Sequence, residues 1–208
     1  LVGADLLVLL TDAPGLLTAD PRIDAQASLI EEVLEVTADL ERLAGGAGTA
    51  RGSGGMASKV AAAKMASWSG VRAVIAAAHR DGVLADAVAG TPGVGTVVRP
   101  RAQRIGARKL WIAFALESGG RITVDEGARR ALLERGVSLL PAGVTAVAGG
   151  FLADQGVEIE GPDGVVFAKG LTQVGAAELA EVAGRRTGDL PEGMVHEVVH
   201  RDDLVIVP

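Results

Sequence analysis

The 208 residues include no cysteine and no tyrosine, and only two tryptophans and three phenylalanines. Without cysteine there is no disulfide framework and no thiolate chemistry, and a reducing compartment is permitted. The cytoplasm is the default expectation. So few aromatic rings leave no evident stacking platform for single-stranded nucleic acid. Long apolar runs are also missing: "ADLLVLL" and "VRAVIAAA" stop well short of the roughly 20 residues a membrane span needs. The chain has no initiator methionine, its first Met is Met56, and it shows no signal-peptide pattern. It is expected to be truncated at its N-terminus, inside a domain.

Basic charge is scarce in the second part. Formal net charge is -6; residues 1–119 balance 12 basic against 12 acidic groups, whereas residues 120–208 carry 8 basic and 14 acidic. Electrostatic capture of nucleic acid is built on Lys and Arg neutralising phosphates, so this acidic excess argues against it in the C-terminal region.

At 49% hydrophobic residues the chain has ample material for a buried core, enough for one large or two small domains. "LLVLL", Leu6 to Leu10, is a short continuous apolar run bounded by "TDAPG", which predicts a strand buried on both faces with a polar loop at its carboxyl end. Ligands of α/β sheets collect beyond such strand ends, making Thr11 and Asp12 candidates; a plain Pro-Gly turn explains the same residues. "TADPRIDAQASLIEEVLEV" starts as a loop, then spaces Leu29, Ile30, Val33, Leu34 and Val36 as a helical stripe or a short helix leading into a strand. After a glycine-rich stretch, a helix is predicted from Met56 to Trp68, a strand at "GVRAVIAAA", a short helix at "DGVLADAVAG" and a strand at "GTVVRP". Alternating strands and helices imply a parallel sheet.

The pattern changes at "RAQRIGARKLWIAFALESGG": Arg99, Arg101, Arg104, Arg108 and Lys109 form a basic run, followed by "LWIAFAL", which reads as a strand. A solvated connecting face accounts for the basic run better than phosphate contact does. A domain boundary is placed here, giving domains at 1–118 and 119–208. The second part reads as "RITV" (strand), "DEGARRALLERG" (helix), "SLLPAGVTAVAGGF", a hairpin around "GPDG", a helix at "GAAELAEVAG" and a closing strand "EVVHRDDLVIV". It is a small, β-rich, barrel-like module.

The stretch "GSGGMASK", Gly52 to Lys59, carries the chemistry. Glycines let backbone N–H groups approach an anion, a helix N-terminus adds partial positive charge, and Lys59 adds a full one; the ensemble suits a polyphosphate such as ATP. It is not a Walker A loop, because Lys59 lies between Ser58 and Val60. Gly52, Gly54 and Ala57 match G-x-G-x-x-A, but "LAGGAGTAR" before them is no strand, so a dinucleotide site is weak. On spacing alone an ordinary surface loop stays equally open. His196 and His200 with Asp202 and Asp203 suggest a metal cluster, yet a strand sets the two imidazoles far apart along it, so a structural role is expected. Trp68 and Trp111 are expected to be packing anchors. Of Asp12, Asp20 and Asp24, only Asp12 is retained as a carboxylate for Mg²⁺.

The order of "GADLLVLLTDAPGLLTADPR", "GSGGMASKVAAAKMASWSGVRAVIAA", "ITVDEGARRALLERGVSLLPAGV" and "VHRDDLVIV" resembles the glutamate 5-kinases, amino-acid kinases with a C-terminal PUA domain, over essentially the whole chain. The resemblance implies an α/β fold: the C-terminal part of an αβα sandwich with a mainly parallel sheet, followed by a PUA pseudo-barrel. It implies ATP and Mg²⁺ as cofactors. Thr11, Asp12, Ser53, Gly54, Gly55, Met56, Ala57, Ser58 and Lys59 are then the nucleotide-binding residues, with Lys59 catalytic through the transferring phosphoryl group. Ser53 stands where Thr is common, and "AHRDGVL" departs from the family's usual stretch, so His79 and Arg80 receive no role. The implied reaction is phosphorylation of the L-glutamate side chain to L-glutamyl 5-phosphate, the first step toward proline. Implied partners are a homo-oligomer, proline as feedback inhibitor and glutamyl phosphate reductase. The glutamate-holding side chains are expected upstream of Leu1, and this stretch alone is expected to be inactive or nearly so. Two other expectations compete: an RNA-binding PUA accessory module, and a kinase of aspartate, N-acetylglutamate or a nucleotide.

Overall fold

A computed structural model of the chain describes residues 3–45, 55–102, 104–190 and 196–207. It divides into two units, Leu1–Ile105 and Gly106–Pro208. The division precedes the 118/119 position drawn from the sequence because the helix at Ala107–Phe114 packs on strands of the second unit.

In the first unit the chain runs β1 (Leu6–Thr11), β2 (Glu32–Val33), α1 (Ala38–Gly45), α2 (Met56–Trp68), β3 (Arg72–Ala77), α3 (Val83–Ala89) and β4 (Thr96–Val98). The strands form one sheet in the order β1-β3-β4-β2. β1 and β3 are parallel, Leu6 opposite Arg72 and Thr11 opposite Ala77. Successive side chains of a strand point to opposite faces, and both faces are covered. Ala73 and Ile75 join Val60 and Ala63 of α2 in one core cluster, while Val74 and Ala76 join Val83 and Ala87 of α3 in another. This double burial is why "RAVIAA" is almost continuously apolar; "LLVLL", expected to be buried on both faces, forms an edge strand of this sheet instead, with Leu6–Leu9 only partly buried and Leu10 43% exposed.

Three local readings change. β4 runs antiparallel to β3, with Ile75 opposite Thr96 and Ala73 opposite Val98, while β2 and β4 pair in parallel. The seven residues of α3 rise only about 10 Å. The helix then stops at Gly90, whose φ of 74° suits a left-handed cap. The chain therefore re-enters the sheet near the end of β3 that it left. Residues 29–36 form no helix: Val33 and Val36 are buried but Leu34 is 73% exposed, and Val33 pairs with Val98 in β2. The unanticipated α1 starts after Thr37, whose hydroxyl accepts from the Leu40 N–H at 3.4 Å, and carries Asp39 and Glu41 in its first turn. That is a helix-start signature.

The second unit contains α4 (Ala107–Phe114), β5 (Ser118–Val124), α5 (Glu126–Arg135), β6 (Val144–Gly149), β7 (Gly156–Glu160), β8 (Val166–Thr172), α6 (Ala176–Val182) and β9 (Val199–Ile206). The sheet order is β6-β5-β7-β8-β9. Leu139, just ahead of edge strand β6, bridges to Val199 of the opposite edge strand, so the sheet curls toward closure around Ile122, Leu139, Phe151, Ile159 and Leu179. The segment "LWIAFAL", expected as a strand, supplies most of α4 instead. Its apolar run has no period to separate helix from strand. Gly106 opens the helix in an extended conformation, Arg108 and Lys109 favour it, and Leu110 and Ile112 are buried while Trp111 is 46% exposed. Trp111 is thus no buried anchor, whereas Trp68 is buried beneath the Arg101 guanidinium, 4.4 Å from the ring centre. Among the described residues no helix is long and apolar enough to cross a membrane.

Candidate functional site

Thr11 closes β1 at the carboxyl edge of the parallel β1–β3 pair, where its carbonyl accepts from the Ala78 N–H at 2.7 Å. The buried Thr11 hydroxyl donates to Asp12 Oδ1 at 3.0 Å. That hydrogen bond, then the backbone N–H groups of Asp12 and Ala13, hold the Asp12 carboxyl below the ordinary aspartate value, and the Lys59 ammonium pulls the same way. Asp12 is exposed and remains an anion at neutral pH.

The loop after Asp12 is tied to the sheet. The Leu16 N–H donates to the fully buried Thr96 Oγ1 at 2.8 Å. A Cβ on Gly15 would lie 2.6 Å from Leu29 Cδ1 and 2.7 Å from Thr96 Oγ1. A Cβ on Gly95 would lie 2.2 Å from the Ile75 carbonyl oxygen. Gly15, Gly95 and Thr96 therefore fix where Asp12 stands. The sequence signals them only faintly, Gly15 as part of a Pro-Gly turn and Gly95 as a glycine beside a strand.

The N-terminus of α2 supplies the second half of the site. Gly55 is the N-cap with extended backbone and no side-chain cap, and the first turn holds no acidic residue. No carboxylate of the helix's own first turn therefore offsets the partial positive charge of its start. Ser58 Oγ donates back to the Gly55 carbonyl at 2.8 Å, fixing the turn. Met56 is half-buried against the Val60 and Ala63 cluster, so its backbone rather than its side chain is left for a ligand. Ala57 and Ser58 are exposed, and Lys59 is half-buried one turn in. Ser53 and Gly54, with Gly52, lie outside the described residues.

Other candidates separate from this site. Asp20 is engaged by Arg22 at 3.0 and 2.7 Å, and Asp24 accepts from the Gln26 N–H at 2.9 Å. His200 lies 3.8 Å from Glu197 and 3.6 Å from Asp202, and among the described residues no group of three His, Asp or Glu side chains could hold a metal. The basic run is spent internally. Arg99 pairs with Glu32, Arg101 with Glu35 and Arg108 with Asp203, while Arg104 and Lys109 donate to the carbonyls of Gly70 and Arg201. A concavity of about 420 Å³ in the second unit is lined by Val147, Phe151, Leu152 and small residues of α6, with no titratable group. It offers no chemistry for phosphoryl transfer.

Residues 1–77 match the amino acid kinase family, and residues 120–194 match the PUA domain. The whole chain is 46% identical to a protein named glutamate 5-kinase from Mycobacterium ulcerans, of which it covers 55%. It is 42% identical to one of the same name from Trichlorobacter lovleyi, of which it covers 56%. Among solved structures, a PUA domain from Aeropyrum pernix K1 covers 45% of the chain, and half of that structure's own chain is matched, at 26% identity and a TM-score of 0.33. The chain spans about half the length of the curated relatives it matches. A match to the amino acid kinase family is followed along the chain by a match to the PUA domain, and over its full length the chain is similar to proteins named glutamate 5-kinase.

Proposed function

We propose that the chain is the nucleotide-handling part of an enzyme that phosphorylates the side-chain carboxylate of L-glutamate with ATP. One observation carries the proposal: β1 ends in the hydrogen-bonded Thr11–Asp12 pair beside parallel β3, and α2, whose start has no acidic first turn and carries Lys59, packs on the same two strands. In the reaction a γ-carboxylate oxygen of glutamate attacks the γ-phosphorus. The bond to the β–γ bridging oxygen breaks, and ADP leaves from L-glutamyl 5-phosphate.

Such transfer asks the protein mainly for positioning and charge neutralisation. The backbone N–H groups of Met56 and Ala57 at the helix start suit phosphate oxygens, and Ser53, Gly54, Gly55 and Ser58 belong to the same nucleotide loop. Lys59 offsets the charge that gathers on the phosphoryl group in flight. Thr11 positions Asp12 at the nucleotide's edge. Magnesium fits a supply carried by the nucleotide: it is usually held by one or two carboxylates plus phosphates, and the site offers the ionised Asp12 with no wider carboxylate cage among the described residues. When bound, the ion neutralises phosphate charge. No residue of this chain is assigned to glutamate.

The reading places the enzyme in the cytoplasm at the first step of proline synthesis, as a homo-oligomer open to proline feedback. Its unstable acyl phosphate then needs a reductase to consume it. RNA binding is not favoured: in the second unit Arg121 pairs with Glu158 and Glu160, and Arg129 with Asp163.

The test uses the protein made from its complete reading frame, with MgATP, glutamate and hydroxylamine. Hydroxamate formed with glutamate, but not with aspartate or N-acetylglutamate, supports the proposal. A folded, ATP-binding protein that forms none overturns it.

A further inference from the structure

A second concavity in the second unit, of about 350 Å³, is charged where the first is apolar. Gly119, Gly120 and Gly149 line it with bare backbone, together with Arg121, Ala148 and Glu158. The strand crossing leaves no room for side chains there: a Cβ on Gly149 would lie 2.7 Å from the Gly119 carbonyl oxygen, and one on Gly120 2.4 Å from that of Ala148. Gly119 also falls where the β5–β7 register shifts, between Ser118 and Gly120, and such a bulge leaves backbone groups outside the ladder. The charges beside this backbone are fixed but not saturated. Arg121 donates to Oε2 of Glu158 from Nε at 3.3 Å and from Nη2 at 3.0 Å, and its Nη1 lies 3.2 Å from Oε2 of Glu160, so two of the five N–H donors of a guanidinium stay uncommitted. Oε1 of Glu160 accepts from the Thr123 hydroxyl at 2.7 Å, which holds the cluster in place. Oε1 of Glu158 accepts no hydrogen bond among the described residues, because Lys169, opposite it on β8, sends its ammonium to the Leu116 carbonyl at 3.4 Å instead.

We propose that this concavity binds a small zwitterionic α-amino acid, its carboxylate on Arg121 and its ammonium on Oε1 of Glu158. An α-amino acid carries both charges on one carbon, which matches a guanidinium and a carboxylate already side by side, and each end gains a charge-assisted hydrogen bond. A lone carboxylate would meet Glu158 as a like charge, and a lone ammonium would meet Arg121. Glycine backbone lets the ligand approach closely. The site shares no residue with the nucleotide site, and the inference does not rest on the kinase reading.

The test is calorimetric titration of the full-length protein, without nucleotide, with glycine, L-alanine and L-proline as probes and with acetate and methylammonium as the half-ligands. At least one amino acid is expected to bind with a dissociation constant in the millimolar range or below, about tenfold or more tighter than either half-ligand. Glu158→Gln, which removes the charge facing the ammonium, and Arg121→Lys, which keeps the charge but loses the fork, are each expected to weaken that binding about tenfold. Ala148→Leu fills the concavity from the exposed side of β6 without touching a charge and is expected to weaken it as much. If a charge variant does not fold, Ala148→Leu decides. Wild type that binds none of the three amino acids overturns the inference. So does binding that all the folded variants retain, since the ligand then sits elsewhere, and so does acetate or methylammonium binding as tightly as the amino acids. Because no nucleotide or turnover enters the measurement, failure of the proposed reaction leaves this outcome unchanged.

Discussion

The Thr11 hydroxyl donates to the Asp12 carboxylate at 3.0 Å, at the edge where β1 and β3 end side by side. This bond is the first cause of the lowered Asp12 pKa. Thr11→Val keeps the shape and removes the donor, so the Asp12 pKa is expected to rise toward the ordinary value. A carboxyl-carbon NMR titration reads it directly. The sign follows from linkage: a depressed folded pKa gives a contribution to stability that is present above the unfolded value and lost as pH falls through the folded one. An unchanged titration in Thr11→Val would show that the bond does not tune Asp12.

Thr96 holds the same loop from below. Thr96→Val leaves the buried Leu16 N–H without its acceptor, at a cost of about 1–3 kcal/mol. Urea unfolding is expected to show that loss, and Thr96→Ser to restore most of it. Equal stability of Thr96→Val and wild type would remove Thr96 from its anchoring role.

At Gly95 the obstacle is backbone. The added methyl of Gly95→Ala meets the Ile75 carbonyl at 2.2 Å, and neither strand can yield without disturbing the β3–β4 pairing. Overpacking of this kind costs about 1–3 kcal/mol. Gly55→Ala, with open space around its Cβ, serves as the contrast and is expected to change stability far less in the same denaturant series.

How far the fold could be read from the chain depended on whether a segment's pattern was local. The span of α2 was legible because alanine, methionine and lysine, all good helix formers, dominate from Met56 until Ser69-Gly70 stops the run. Strand β3 was legible because a buried parallel strand needs an unbroken apolar run. Segment 110–116 was not, since its apolar residues satisfy either helix or strand and the choice falls to Gly106 and to packing on β8 and β9. Leu34 misled in the same way: its spacing suits a helix, but pairing of Val33 with distant Val98 turns it outward. In the site, Thr11, Asp12 and Lys59 were legible as residue types beside a strand end and a helix start. Thr96 and Gly95 were not, because their role exists only once β4 lies against β3 and the Asp12 loop.

The second unit offers an independent check on local structure. Asp125 caps α5, its carboxylate accepting from the Ala128 N–H at 2.7 Å. Asp125→Ala is expected to cost about 1 kcal/mol, seen as a lower unfolding midpoint with an unchanged denaturant slope. A midpoint equal to wild type would mean the cap contributes nothing.

The central claim is that Lys59 stabilises the phosphoryl group during transfer. Its most direct test is the steady-state kinetics of Lys59→Ala in the full-length enzyme, with ATP and glutamate varied separately. The expected result is a fall in kcat of about 10²-fold or more, with KM for glutamate little changed and the fold intact. A kcat close to wild type, with only KM for ATP raised, would contradict the claim and leave Lys59 as a ground-state contact.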